Sequence, residues 1–181
     1  MNKLMEFFVE LPINKHSYKS IEIRDIKNVG IGYIRREFKN PLEKIKNYIS
    51  FLETINLVGE VDGRYIEIRE QSFKSNLFKL KWDVYLSDKN TDGNQIRFLL
   101  EDKTKISTNP CFLLNKNNKG YIIKKDILSR TCMIYCNDND ITCAEIRIEK
   151  LLPPSLKISV HNNDLTIVEI LGVFYILNLV Y

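Results

Sequence analysis

Leu165-Thr166-Ile167-Val168-Glu169-Ile170-Leu171-Gly172-Val173-Phe174-Tyr175-Ile176-Leu177-Asn178-Leu179-Val180-Tyr181 is the most apolar stretch of the chain, and its reading decides the fold. Glu169 and Asn178 interrupt it and leave an uninterrupted run only over 170–177, far short of the ~20 residues that span a bilayer. The segment reads as a buried strand or strand pair that completes a sheet. Working backward from it, the hydrophobic period is two. Strands are expected at 156–160, 141–148, 131–136, 121–123, 111–114 and 96–100, and another through Phe78, Leu80, Trp82, Val84 and Tyr85. Asn162-Asn163-Asp164, Asn137-Asp138-Asn139-Asp140, Asn117-Asn118-Lys119-Gly120 and Asp92-Gly93 supply the turns between them. No long amphipathic helix is visible after residue 76. Parallel strands need crossover helices, so residues 76–181 read as a mostly antiparallel β domain and α/β nucleotide-binding folds are excluded.

The first third reads differently. Asn40-Pro41-Leu42-Glu43 has a capping residue, a proline at the first helical position and a glutamate three residues after the cap. Leu42, Ile45, Tyr48, Ile49, Leu52 and Ile55 then recur at helical spacing, and Gly59 ends the run. Asp62-Gly63 between two extended runs predicts a type I′ hairpin with Val61 opposite Arg64, Gly59 opposite Ile66 and Leu57 opposite Ile68. That register places Leu57, Val61, Ile66 and Ile68 on one face. Upstream, 4–11 fits a short helix or a strand, and 17–26, with Ser17 as cap and Ile21, Ile23 and Ile26 apolar, fits a second helix.

Helix, helix, longer helix and a hairpin tipped by Asp-Gly resemble a winged helix, carried by Ile45-Lys46-Asn47-Tyr48-Ile49-Ser50-Phe51-Leu52-Glu53-Thr54-Ile55-Asn56-Leu57-Val58 and Asp62-Gly63-Arg64-Tyr65-Ile66. The fold class expected is therefore α+β: a winged-helix-like module over 1–75 and a β-rich domain over 76–181. The resemblance implies contact with nucleic acid or with other subunits of a nucleoprotein complex. Its nucleic-acid-binding candidates are Arg35, Arg36 and Lys39 before the helix, Lys44 and Lys46 on it, and Arg64 on the wing.

Part of the later region also resembles the barrel of tubby-like proteins. Phe98-Leu99-Leu100, Lys103, Lys105, Gly120-Tyr121-Ile122-Ile123-Lys124 and Thr131-Cys132-Met133-Ile134-Tyr135 are similar to that family's lysine-bearing strand and the strands after it. There, basic residues hold a phosphoinositide head group, which implies such a role for Lys103 and Lys105. The sequence departs from that family after residue 160, where the last segment reads as strand rather than as the apolar helix that threads the family's barrel.

Composition sets outer bounds. The 181 residues are 44% hydrophobic and 28% charged with only 7 Gly and 5 Pro, which excludes disorder, collagen-like arrays and solenoids. The net charge is +4 and the pI about 8.8, compatible with an anionic partner but without the basic tail of a dedicated nucleic-acid binder. Glu6 sits where a signal peptide needs its apolar stretch. Cys111, Cys132, Cys136 and Cys143 are expected to be reduced thiols in an intracellular protein, cytoplasmic or nuclear.

Catalytic patterns are sparse. In an extended strand Cys132 and Cys136 lie about 13 Å apart, too far to share one zinc ion, so they read as buried structural thiols. His16 and His161 read as loop residues, there is no P-loop, and Gly30-x-Gly32 lacks the third glycine of a dinucleotide loop. Asp140 with Glu145-Ile146-Arg147 has a faint likeness to the two carboxylates and cation of a metal-dependent nuclease. Glu145 and Arg147 otherwise read as the wet face of a strand whose Ile146 and Ile148 point inward. The function expected is a non-catalytic binding or adaptor subunit, with no catalytic residues, metal or cofactor. The alternatives are a small nuclease using Asp140 and Glu145, or a phosphoinositide-binding tubby-like β domain.

Overall fold

Burial alternates residue by residue from the start of the chain: Ile21 and Ile23 are buried while Glu22 and Arg24 are exposed, and the same rhythm returns at Ile66 and Ile68, at Phe98 and Leu100, and at Ile158 and Val160. A period of two is that of a strand with one face in a core and one in water. The computed structural model describes residues 4–14, 17–38, 55–72, 79–89, 95–126, 128–136 and 141–181. Its strands are β1 (Met5–Glu10), β2 (Ile21–Asp25), β3 (Gly30–Arg36), β4 (Leu57–Val61), β5 (Arg64–Glu70), β6 (Lys81–Asp88), β7 (Ile96–Asp102), β8 (Cys111–Lys116), β9 (Lys119–Lys125), β10 (Thr131–Cys136), β11 (Ile141–Leu151) and β12 (Pro154–Val160). Each pairs antiparallel with its sequence neighbours, and β1 closes onto β12 from Met5 opposite Val160 to Glu10 opposite Ser155. Among the described residues this is a closed, twelve-stranded up-and-down barrel, an arrangement that leaves no sheet edge to aggregate.

The β4–β5 hairpin has the register read from the sequence, with Asp62 and Gly63 at φ 49° and 78°. Its neighbours are not those of a winged helix. Residues 4–11 contribute β1, and 17–26, expected as a helix, contain β2, because Ile21 and Ile23 alternate with Glu22 and Arg24 rather than forming a helical stripe. The winged-helix resemblance and the α+β class are thereby corrected to a mainly β fold. The helix expected from Leu42 falls, except for Ile55, outside the described residues.

A twelve-stranded barrel is too wide for its own side chains to fill. The interior is filled instead by α1 (Ile167–Val180), so the C-terminal segment read as strand is a helix. Every residue of 167–177 and Leu179 is buried, and a helix surrounded by protein on all sides carries no polar stripe from which its period could be read. Thr166 caps it: its hydroxyl accepts the Glu169 N–H, and the Glu169 carboxylate accepts the Thr166 N–H at 2.7 Å. The helix leans on β3, β4 and β5. Gly172 permits the close approach to β5, since a Cβ there would stand 2.9 Å from Ile68 Cδ1.

Two rims follow from this topology. The upper rim carries the β2–β3, β4–β5, β6–β7, β8–β9 and β10–β11 connections and the start of α1. The lower rim carries the β1–β2, β3–β4, β5–β6, β7–β8, β9–β10 and β11–β12 connections and the end of α1.

Candidate functional site

At the lower end of the outer wall, alternation places lysines on adjacent strands. Lys81 begins β6, Lys103 follows β7 and Lys124 lies on β9. Lys103 donates its backbone N–H to the Cys111 carbonyl at 2.8 Å, and Cys111 in turn stands opposite Lys124. Lys103 and Lys124 thus flank one strand, their backbones about 10 Å apart at two strand spacings. The exposed Lys105 extends the row into the β7–β8 loop. A cavity of about 330 Å³ opens beside it, lined by Asn109, Pro110, Cys111, Lys124, Lys125 and Asp126.

Glu101 is the counterweight. Its carboxylate takes Lys103 Nζ at 2.8 Å and Lys81 Nζ at 3.4 Å. The Lys103 hydrogen bond leads in holding its carboxyl below the usual range, against the opposing effect of burial. Among the described residues Lys124 has no carboxylate of this kind, and it lies 5.7 Å over the Tyr135 ring. Burial raises the Cys111 thiol, partly offset by Lys124, so the cysteine in the row is a neutral group at neutral pH. The arrangement suits charge-assisted donation to a small polyanion, with Lys103 and Lys124 on either side of Cys111.

Behind this wall the helix end is tied down. Tyr181 donates its hydroxyl to Asp102 at 2.8 Å, Lys125 reaches Asn178 at 3.5 Å, and Lys125 lies 5.8 Å over the Phe174 ring. A different cavity, of about 390 Å³, lies along the seam where β1 meets β2 only through Phe7, Phe8 and Val9. Glu10, Glu22 and Glu149 line it, which makes it a poor host for an anion.

The chain matches the Tubby C-terminal like domain over residues 7–181. It belongs to that family. The match spans nearly all of the barrel and the helix, whereas the likeness read from the sequence reached only residues 96–136. The segment after residue 160, read from the sequence as strand and as a departure from that family, is the helix α1. A similar solved structure is the X-ray structure of a protein from Arabidopsis thaliana, at 14% identity and a TM-score of 0.44, covering 99% of this chain and 92% of that one. No curated protein matches the sequence.

Family membership overturns the nucleic-acid adaptor reading, which rested on a winged helix that the barrel replaces. Of its candidates, Arg35 is exposed on the outer wall, 3.8 Å from Glu37. Arg36, the next residue in a strand, faces inward with 3% exposure and stacks 5.1 Å over the Tyr18 ring. Arg64 sits at the upper rim, 3.7 Å from Asp88. Arg35 and Arg64 therefore belong to different ends of the barrel and Arg36 to its interior. Lys39, Lys44 and Lys46 lie outside the described residues, as do His16 and Asp140. Glu145 and Arg147 pair at 3.2 Å on the outer wall of β11. Cys132, Cys136 and Cys143 are buried, burial pushing the Cys132 thiol up to about 12. Among the described residues no group of three or more His, Cys, Asp or Glu could hold a metal, and no helix is long and apolar enough to cross a membrane.

Sequence reading singled out Lys103 and Lys105 but gave no role to Lys81, Glu101 or Lys124. Lys124 stood in the quoted stretch, yet only the pairing of β8 with β7 and β9 places it beside Lys103.

Proposed function

We propose that this domain is a binding module for a polyphosphorylated head group of the phosphoinositide class, held by Lys103, Lys105 and Lys124. The observation that carries the reading is the row Lys103, Cys111, Lys124 across three adjacent strands, opening on the cavity beside Pro110. Membership of the Tubby C-terminal like family supports it, since basic residues of such barrels hold this ligand class. The head group's phosphates replace the solvent around Lys124 and Lys105 and compete with Glu101 for Lys103.

Titration with soluble inositol trisphosphate by calorimetry tests the reading. Lys103→Ala, Lys105→Ala and Lys124→Ala should each weaken binding about fivefold, the effect of one lysine near an anionic surface. Glu101→Gln should strengthen it by freeing Lys103. Binding should fall as salt rises, because the amines are solvent-exposed. Binding that survives the triple alanine variant unchanged overturns the assignment.

A further inference from the structure

We propose that the notch where β1 and β2 part is a docking site for an extended, cationic peptide segment that adds to the open edge of β2. The site lies across the barrel from the lysine row of β6–β9 and does not depend on the head-group reading.

The notch exists because the β1–β2 ladder stops early. It runs from Phe7 opposite Asp25 to Val9 opposite Ile23, and the register makes Glu10 and Glu22 the next pair. Two carboxylates directly opposite each other disfavour that pairing, and it is not formed. Beyond it, Leu11 donates its N–H to the Pro154 carbonyl at 2.8 Å, so β1 continues along β12 and leaves β2 behind. Backbone groups of successive residues in an antiparallel strand point alternately to its two neighbours. The Leu11 bond directs the odd residues of β1 to β12, so Phe8 turns to its β2 partner Arg24. Glu22 and Ser20, in step with Arg24, turn their backbone groups toward β1. Among the described residues Ser20 finds no hydrogen-bond partner for either its N–H or its C=O.

The notch has the volume of a ligand site, about 390 Å³. Its floor is apolar, formed by Val9, Ile21 and Leu156 at 3%, 3% and 1% exposure. Its rim is acidic, carrying the exposed Glu10, Glu22 and Glu149. Glu10 and Glu149 approach Ser155 from opposite sides, since Ser155 pairs with Glu10 on β1 and with Lys150, next to Glu149, on β11. The one cation that lines the notch is Arg24, already held by Glu22 at 2.6 Å. Among the described residues Glu10 and Glu149 have no ion-pair partner.

The occupant follows from these three features. A strand added beside Ser20 and Glu22 supplies the missing backbone partners and alternates its side chains. One set descends to Val9, Ile21 and Leu156, and the other stands among the carboxylates. The segment that fits therefore alternates small apolar residues with lysine or arginine. A second copy of this chain would bring the same acidic rim and be repelled, and a bare cation would leave the apolar floor and the strand edge unused.

The test adds the capped pentapeptide Lys-Val-Lys-Val-Lys to the intact, isotope-labelled protein. Amide shifts should centre on Glu10, Ser20 and Glu22, exchange of the Ser20 N–H should slow, and binding should weaken with salt. Glu10→Gln, Glu22→Gln and Glu149→Gln combined should weaken binding about tenfold. A pentapeptide N-methylated on alternate residues, in either of the two phases, should lose affinity in the phase that pairs with β2. The proposal is overturned if Glu-Val-Glu-Val-Glu binds as well, if the triple glutamine variant binds like the parent, or if neither methylated peptide is weakened. It is equally overturned if lysine amide alone reproduces the shifts, which would make the notch a site for a single amine. Inositol trisphosphate binding should be unchanged in the triple glutamine variant and peptide binding unchanged in Lys103→Ala and Lys124→Ala, so each reading fails separately.

Discussion

The two rims of the barrel are built from the same twelve strands and hold the helix differently. At the upper rim, Lys116 and Glu169 form an ion pair inside the wall at 2.8 Å, with side-chain exposures of 12% and 0%. Thr166 completes it by donating its hydroxyl to the same carboxylate at 2.8 Å, and Lys116 also donates to the Asp164 carbonyl at 2.9 Å. The connections there are tight: Asn28, Asp62, Asn117 and Asn118 all adopt positive φ, which short turns require and asparagine and aspartate tolerate. At the lower rim the helix end is held by lighter contacts, Tyr181 to Asp102 and Lys125 to Asn178. Its longer loops carry apolar tips and lysines into solvent. One rim anchors the helix with a buried ion pair and the other carries the proposed head-group site, so substitutions should divide between stability and binding according to the end they touch.

The largest effects should come from the helix and its anchor. Phe174→Ala opens a cavity at the barrel centre and should cost about 3–5 kcal/mol of unfolding free energy in chemical denaturation. Glu169→Ala leaves the Lys116 ammonium buried without its partner and should cost a similar ~3–5 kcal/mol, much of it recovered by adding Lys116→Met. An isolated Glu169→Ala that unfolds at the parental denaturant midpoint would place the anchor elsewhere and break the comparison.

At the other end of the helix, Tyr181→Phe removes one hydrogen bond to Asp102, which keeps the Thr104 N–H at 2.8 Å. The cost should be about 1 kcal/mol. A loss as large as that of Glu169→Ala would show that both rims hold the helix equally.

Glu101 sharpens the comparison through pH. Its folded carboxyl titrates below its ordinary value of 4.5 because of Lys103, so the unfolded chain binds the proton more readily. The contribution is complete above pH 4.5 and is lost as pH falls through the lowered folded value. Glu101→Gln should therefore lower stability modestly at neutral pH and flatten its decline in that acidic window, so that variant and parent converge in acid, as urea unfolding at a series of pH values will show. The smallest effect is expected at the tips: Leu128→Ser should change stability by less than about 0.5 kcal/mol. A larger loss would mean that Leu128 packs against the barrel and is not the free loop tip its exposure indicates.

Legibility varied with how local the signal was. The Asp62-Gly63 turn announced the β4–β5 register because positive φ at two successive residues is a property of those residues. The strands after residue 96 were legible because one wall faces water and preserves the alternation. The helix was misread because all of its faces are buried. The signal that went unread there was the Thr166-x-x-Glu169 capping box, which the structure shows closed. The start of the chain failed for the opposite reason, since Ser17, Ile21, Ile23 and Ile26 satisfy a helical cap and spacing as well as a strand.

The sequence by itself determined the antiparallel wall, its turns and a mild positive charge, because each rests on residue type and near spacing, while Lys103 and Lys105 became candidates only through the resemblance to tubby-like barrels. Closure of β1 on β12, the choice of the last segment as filling rather than wall, and the meeting of Lys103 with Lys124 were decided only in three dimensions. Their physical reason is common to all three. Closing the barrel creates an interior that its own side chains cannot fill and sets the shear that aligns distant strands, and neither quantity is a property of any local stretch of chain.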